Sequence, residues 1–195
     1  MLICGIDEAG RGPLAGPVVA AAVVMEDCTE ITGARDSKTL SESVRNELSL
    51  RIKDRCKDYS IGIADHKEID SLNILQATML AMFRALIGLK VLPDSVLIDG
   101  NYFRLPGRAE ISYNFKTIVK GDSKIHEISC ASILAKVERD KIMKDYNEQY
   151  PLYGFSTNKG YPTRYHISTI RTSGICDIHR ISFCGKFISE GNCNR

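Results

Sequence analysis

The 195-residue sequence has no apolar run of membrane-spanning length, no Cys-x-x-Cys pair, no internal repeat and no low-complexity tract. The first absence excludes an ordinary transmembrane helix, which needs about 20 consecutive apolar residues. The start, Met1 to Asp7, lacks a basic leader followed by a small-residue cleavage site, so a cytoplasmic location and no membrane partner are expected. The seven cysteines are odd in number: Cys4, Cys28, Cys56, Cys130, Cys176, Cys184 and Cys193. Cys176, His179, Cys184 and Cys193 lie near one another in the chain, but their spacing fits no zinc pattern, and reduced thiols are expected. Cys4 and Cys130 sit among apolar or small residues, where a free thiol behaves as a small hydrophobe.

Net charge is also nearly absent, at +2. Its distribution is less even. Residues 1–115 carry 13 Lys/Arg against 16 Asp/Glu, and residues 116–195 carry 13 against 8. An acidic front with a basic rear suits a metal site beside a polyanion-binding surface, although an unevenly solvated surface gives the same count. With 44% hydrophobic and 26% charged residues, the composition is that of a globular chain long enough for one full core.

Apolar patterning predicts strands at Leu2 to Asp7, Val18 to Met25, Tyr59 to Ala64 (Ile61 and Ile63 on one side), Ser95 to Asp99 and Ile111 to Val119. Thr39 and Glu42 form a capping-box pattern that opens a helix to about Lys57, with Val44, Leu48 and Ile52 on one face. Further helices are predicted from about Ile74 to Leu89, from about Ile128 to Tyr146, and from near Thr163. Leu75, Met79, Met82, Phe83 and Leu86 are the core stripe of the first of these. Ser129, Cys130, Ala131, Ser132 and Ala135 give the second a small-residue face able to pack closely. Pro151 to Pro162 reads as a loop. Alternating strands and helices without a linker point to one α/β domain.

The most informative stretch runs from Gly5 to Val18. Asp7 and Glu8 end an apolar run, and Gly10, Gly12, Pro13, Gly16 and Pro17 leave no room for a regular element behind them. A glycine-rich loop lets backbone N–H groups approach a phosphate, and adjacent carboxylates can hold a divalent cation. Successive strand residues face opposite ways, so both acids reach one site only if the strand breaks at Glu8. An exposed acidic turn is the plain alternative. Asp99 ends a second apolar strand and meets Asp7 if the two strands are parallel neighbours; otherwise it belongs to an Asp-Gly turn. Asp122 precedes the small-residue helix, as a further ligand or as its N-cap. An all-carboxylate set of Asp7, Glu8, Asp99 and Asp122 would select Mg²⁺ or Mn²⁺ over zinc. Two such ions about 3.5–4 Å apart could straddle the attacking and leaving oxygens of a phosphoryl transfer.

Seven segments resemble the ribonuclease HII family in order: Asp-Glu-Ala-Gly-Arg-Gly-Pro-Leu-Ala-Gly-Pro-Val at 7–18, Asp-Ser-Lys at 36–38, Ile-Asp-Gly at 98–100, Lys-Gly-Asp at 120–122, Ala-Ser-Ile-Leu-Ala-Lys-Val-Glu-Arg-Asp at 131–140, Asn-Lys-Gly-Tyr at 158–161 and His-Arg-Ile-Ser-Phe at 179–183. The resemblance implies an RNase H-like fold over residues 1–195, a mixed central β-sheet flanked by helices, with a small helical part from about 150 onward. It implies an endonuclease cutting the RNA of RNA–DNA hybrids and incising 5′ of single ribonucleotides in duplex DNA, with roles in replication and repair. The metal-binding catalytic acids would be Asp7, Glu8, Asp99 and Asp122. Gly10, Arg11 and Gly12 would contact the nucleic acid at the scissile junction, Lys38 a phosphate, and Tyr161 the ribose. Cys130 stands where the family often has Ala. The tail shows no sliding-clamp peptide, no extra N-terminal substrate-binding domain is expected, and a monomer is expected.

A metal-activated water attacking phosphorus would leave 5′-phosphate and 3′-hydroxyl ends. A non-catalytic binding module gains nothing from carboxylates facing phosphate, and a small-molecule phosphatase leaves the basic rear half unexplained. Lys159 and Arg164 are expected to meet phosphates and position the duplex, while Tyr161 has the alternative of an exposed loop aromatic.

Overall fold

A computed structural model describes residues 1–26, 29–35, 37–104 and 114–188. In chain order it forms β1 (Leu2–Ala9), β2 (Val18–Glu26), α1 (Glu42–Arg55), β3 (Asp58–Ala64), α2 (His66–Leu72), α3 (Ile74–Ile87), β4 (Ser95–Asp99), β5 (Phe115–Ile118), α4 (His126–Gln149), α5 (Phe155–Asn158), α6 (Arg164–Ser173) and α7 (Ile181–Cys184). The sheet order is β3-β2-β1-β4-β5. β1 pairs antiparallel with β2 and parallel with β4; β3 is antiparallel to β2, and β5 parallel to β4. This is the mixed sheet that the resemblance implied.

Both faces of the central strands are covered, so β2 is buried along nearly its whole length instead of alternating. Ala21, Val23 and Met25 face α1 and α4, while Cys4, Ile6, Ala20, Ala22 and Val24 face α3. A third cluster joins Leu14 and Ala15 of the glycine loop to Met143 of α4 and to Tyr153, Phe155, Ile170, Ile178 and Cys184. It seats the helical C-terminal part against the loop that follows β1. Among the described residues no helix is long and apolar enough to cross a membrane.

The small-residue face of α4 acts where the sequence suggested. Ser129, Cys130, Ala131, Ser132 and Ala135 are all buried. A Cβ on Gly5 would lie 2.1 Å from the Glu127 carbonyl carbon and 2.4 Å from the Ile128 nitrogen. The first turn of α4 therefore rests on the backbone of β1, two residues before Asp7.

Several predicted boundaries are corrected. The Thr39–Glu42 capping box does not form: residues Ser37–Thr39 make a 3-10 turn, and the N-cap of α1 is Ser41, whose hydroxyl accepts from Val44 N at 3.3 Å. Arg45 ties that turn down by donating to the carbonyls of Ser37 and Leu40. Val44 is exposed, leaving Leu48 and Ile52 as the inward residues of α1. Ile63 is exposed because β3 is an edge strand, and its buried residues are Gly62 and Ala64. Leu75 is likewise exposed on α3. α2 was not predicted, although a reciprocal Asp65–Glu68 capping box starts it. α4 is longer at both ends than predicted, and the expected 151–162 loop contains a 3-10 turn and α5. Residues 111–113 of the predicted fifth strand lie outside the described residues.

Gly5→Ala should force α4 away from β1 and destabilise the protein by about 1–3 kcal/mol, as overpacking against immovable backbone does. Equilibrium urea unfolding measures it; an unchanged midpoint would show that the helix does not lie this close.

Candidate active site

Parallel pairing of β1 with β4 ends at Ile6↔Ile98. The next residue on each strand is an acid, so Asp7 and Asp99 emerge side by side. Ligand oxygens of Asp7, Glu8 and Asp99 all lie within 4.8 Å of one another. The predicted strand break at Glu8 does not occur, since β1 stays paired with β2 through Ala9↔Val19. Ladder pairing of β1 with β4 stops at Ile6↔Ile98, and the Glu8 carboxylate joins the group from a strand that continues unbroken.

Two of the acids, Asp7 and Asp99, are fixed by short bonds from main-chain N–H groups. Glu8 N donates to Asp7 Oδ1 at 2.7 Å, and Gly121 N donates to Asp99 Oδ1 at 2.6 Å. Ser132 of α4 hydrogen-bonds Asp7, and its hydroxyl lies 2.9 Å from that of Ser37. Arg11 stands 3.4 Å from Glu8 Oε1. Asp7 is only 3% exposed. Burial first, then the charges of Glu8 and Asp99, push its pKa well above the usual carboxylate range. Burial also raises Glu8, with Arg11 opposing and Asp99 adding to the shift. Three oxygen donors that repel one another around a buried carboxylate fit a hard divalent cation, and these three residues would hold it.

Asp122 is not part of this group of three. It sits on the turn Gly121–Ser123, beside the Gly121 amide that binds Asp99, with Oδ2 3.5 Å from Lys38 Nζ. It does not cap α4 either, because that helix has Ile125 at its N-cap. Lys38 is thus placed at the edge of the acidic site. Asp36 of the same motif lies outside the described residues.

The loop after β1 rests on two arginines that the sequence reading did not single out. Arg139 is 1% exposed and Arg180 fully buried. Arg139 donates to the carbonyls of Pro17, Lys159 and Ala15 at 3.0, 3.0 and 3.2 Å. Arg180 donates to those of Gly16 (2.9 Å), Arg11 (3.0 Å), Gly10 (2.6 Å) and Pro17 (3.1 Å). Burial lowers both guanidinium pKa values, to about 10 for Arg139 and about 9 for Arg180, the latter also through the charge of Arg139. Both remain charged at neutral pH. Arg139 occupies the stripe Ile128, Ser132, Ala135, Arg139 at helical spacing. A charge on an otherwise small and apolar stripe was the available signal.

Tyr161 closes the same corner. A Cβ on Gly12 would meet its ring at 3.8 Å, and the Arg139 guanidinium lies 5.8 Å from the ring centre. Tyr161 is exposed, with its ring beside Gly12. Its carbonyl is held by a directional relay through two buried histidines. Cys176 N donates to His179 Nδ1 (3.0 Å), the two Nε2 atoms meet at 3.0 Å, and His166 Nδ1 donates to Tyr161 O at 2.9 Å. Every ring nitrogen is satisfied with both rings neutral, and burial lowers both pKa values, that of His179 to about 4. His179 is therefore committed to this relay. Among the described residues the candidate metal group is the acidic one, and Cys193 lies outside them.

One expected phosphate contact is corrected. Lys159 is only 8% exposed, and its ammonium is bound to the Ser156 carbonyl and paired with Glu42 at 3.8 Å. It is held within the protein, whereas Arg164 is exposed at the start of α6.

The raised Asp7 pKa has a sign. A carboxyl whose folded pKa exceeds its unfolded value stabilises the fold below the unfolded pKa and loses that contribution as pH rises through the folded value. Metal-free Asp7→Asn should therefore be more stable than the parent at neutral pH, by about 1 kcal/mol or more. The gain should vanish near the ordinary carboxylate pKa. Mn²⁺ should raise the melting temperature of the parent and not of Asp7→Asn. A destabilised variant that still responds to Mn²⁺ would contradict the site.

Comparisons with known proteins show the family and the fold. The ribonuclease HII family profile matches residues 4–186. A ribonuclease HII from Acinetobacter baylyi is 52% identical over 93% of this chain and 94% of its own. The crystal structure of the ribonuclease H2 from Pyrococcus horikoshii superposes with a TM-score of 0.76 at 27% identity, covering 93% of each chain. The Bst-RNase HIII structure in complex with Mn²⁺ shares the fold at 20% identity and a TM-score of 0.70, over 89% of this chain and 63% of its own. Sequence match, fold and placement of the acids lead to one conclusion: the chain belongs to the ribonuclease HII family and is a ribonuclease H.

Proposed function

We propose that this ribonuclease H, an endonuclease for RNA–DNA hybrids, also incises duplex DNA on the 5′ side of single embedded ribonucleotides, and serves ribonucleotide removal during replication and repair. The observation that carries the reading is the meeting of Asp7, Glu8 and Asp99 at the start of a glycine loop that an exposed tyrosine flanks.

Asp7, Glu8 and Asp99 hold divalent metal, with Asp122 as a further ligand from the adjacent turn. Mg²⁺ or Mn²⁺, two ions with substrate bound, would supply the charge neutralisation and water activation for phosphodiester hydrolysis to 5′-phosphate and 3′-hydroxyl ends. The Mn²⁺ in the related type HIII structure supports a divalent ion. Lys38, beside Asp122, offers its ammonium to a phosphate. Gly10, Arg11 and Gly12 bring main-chain groups to the sugar, and the Tyr161 ring packs on the ribose. The 2′-hydroxyl is the feature that separates ribonucleotide from DNA, and fixed backbone donors can read it. Residues 1–195 act as one catalytic domain, whose helical part from about 150 onward places Tyr161.

A non-catalytic binding module is disfavoured by the acids themselves: three clustered carboxylates repel a phosphate and do not aid its binding.

The test is a gel with duplex DNA carrying one internal ribonucleotide. The parent should cut once, 5′ of the ribonucleotide, only with divalent metal, and Asp7→Asn should fall to less than about a tenth of that activity. Tyr161→Ala should depress cutting more than affinity for plain duplex DNA. Equal effects on both would return Tyr161 to a structural role.

A further inference from the structure

Arg139 and Arg180 are the two largest fully buried side chains, and neither pairs with a carboxylate among the described residues. Burying an unpaired charge is costly, and a fold that needed only hydrogen bonds to carbonyls could use neutral donors. All seven of their hydrogen bonds go to main-chain carbonyls, six of them between Gly10 and Pro17.

The consequence follows from peptide geometry. In a trans peptide the C=O of one residue and the N–H of the next point in opposite directions. Arg180 takes the carbonyls of Gly10 and Arg11 from inside. The N–H groups of Arg11 and Gly12 are therefore turned outward, on the side where both residues are exposed and the Tyr161 ring stands. The same guanidinium holds Gly16 and Pro17, so one planar fork spans the entry and exit of the loop. Arg139 extends the tie to Lys159, two residues before Tyr161. Gly10 permits this: its φ is +99°, and a Cβ there would lie 2.0 Å from Arg139 Nε.

We propose that Arg180, supported by Arg139, is a positioning residue for ribonucleotide selectivity, holding the Arg11 and Gly12 N–H groups as a fixed donor pair for the substrate sugar, with buried positive charge behind them. The inference rests on the reading that the Gly10–Gly12 loop meets the ribose. Lysine cannot replace this arginine, because a point ammonium does not reproduce a planar fork spread over four carbonyls.

Three variants, Arg180→Lys, Arg139→Lys and Gly12→Ala, test it, with kcat and KM on duplex DNA holding one ribonucleotide, Kd for the all-DNA duplex, and the Mn²⁺-induced melting shift. A Cβ on Gly12 meets only the Tyr161 ring, at an ordinary contact distance of 3.8 Å, and its φ lies outside the left-handed region, so the fold tolerates the methyl while it crowds the ligand side. Arg180→Lys should lower kcat by about a hundredfold, the scale of misplaced catalytic groups. It should leave duplex affinity within about threefold, since phosphate contacts elsewhere carry binding, and keep the Mn²⁺ shift. Arg139→Lys should do the same to a smaller degree. If Gly12→Ala is impaired and Arg180→Lys is not, the loop reads the sugar without Arg180 and the inference fails. If neither is impaired, the loop reading fails and the inference with it. Loss of the Mn²⁺ shift in both lysine variants would make the arginines general supports of the fold, which also overturns the proposal.

Discussion

Mutual repulsion among Asp7, Glu8 and Asp99 is the constraint to which the surrounding structure answers. Three carboxylates within 4.8 Å of one another would separate if they were free to do so. They are held by the parallel register of β1 on β4 and by peptide N–H groups from Glu8 and Gly121, with Ser132 reaching Asp7 from α4. Ser132 can do this because Gly5 lets the helix settle on the strand backbone. Packing energy from the sheet and its helices therefore offsets the electrostatic cost of the site, the usual relation between a stable scaffold and a destabilised functional centre.

A second charge pattern stands behind the first. The loop that leaves the acids carries its carbonyls inward onto two buried guanidiniums, and its N–H groups outward. Anionic groups thus gather at the ends of β1 and β4, and buried positive charge stands behind the adjacent loop. The histidine relay from Cys176 to Tyr161 serves the same corner from the C-terminal side, using neutral rings where a further charge would add desolvation cost.

Much of this was legible in the sequence because local rules and tertiary outcome agree. Apolar runs ending in acids gave β1, β4 and the meeting of Asp7 with Asp99. The small residues from Ser129 to Ala135 gave the tight seat of α4. Where prediction missed, tertiary contacts overrode a local pattern. The Thr39–Glu42 box lost to a turn anchored by Arg45, and Ile63 is exposed because edge position cannot be read from alternation. Glu8 joins Asp7 from an unbroken strand, against the alternation that the strand pattern implies. Lys159 looked like a surface cation but is enclosed by the α5 turn and Glu42. Arg139 and Arg180 gain their meaning only when residues more than a hundred positions apart come together.

The central claim is that the three acids are one divalent-metal site whose repulsion the ion relieves. Calorimetric titration of Mn²⁺ in buffers of different ionisation enthalpy, between about pH 5 and 8, measures this directly. Binding should tighten as pH rises and should release protons, more of them at the acid end, because the raised carboxyls must ionise to accept the ion. Asp99→Asn should remove both effects. Affinity independent of pH, with no proton release and no loss on that substitution, would contradict the account.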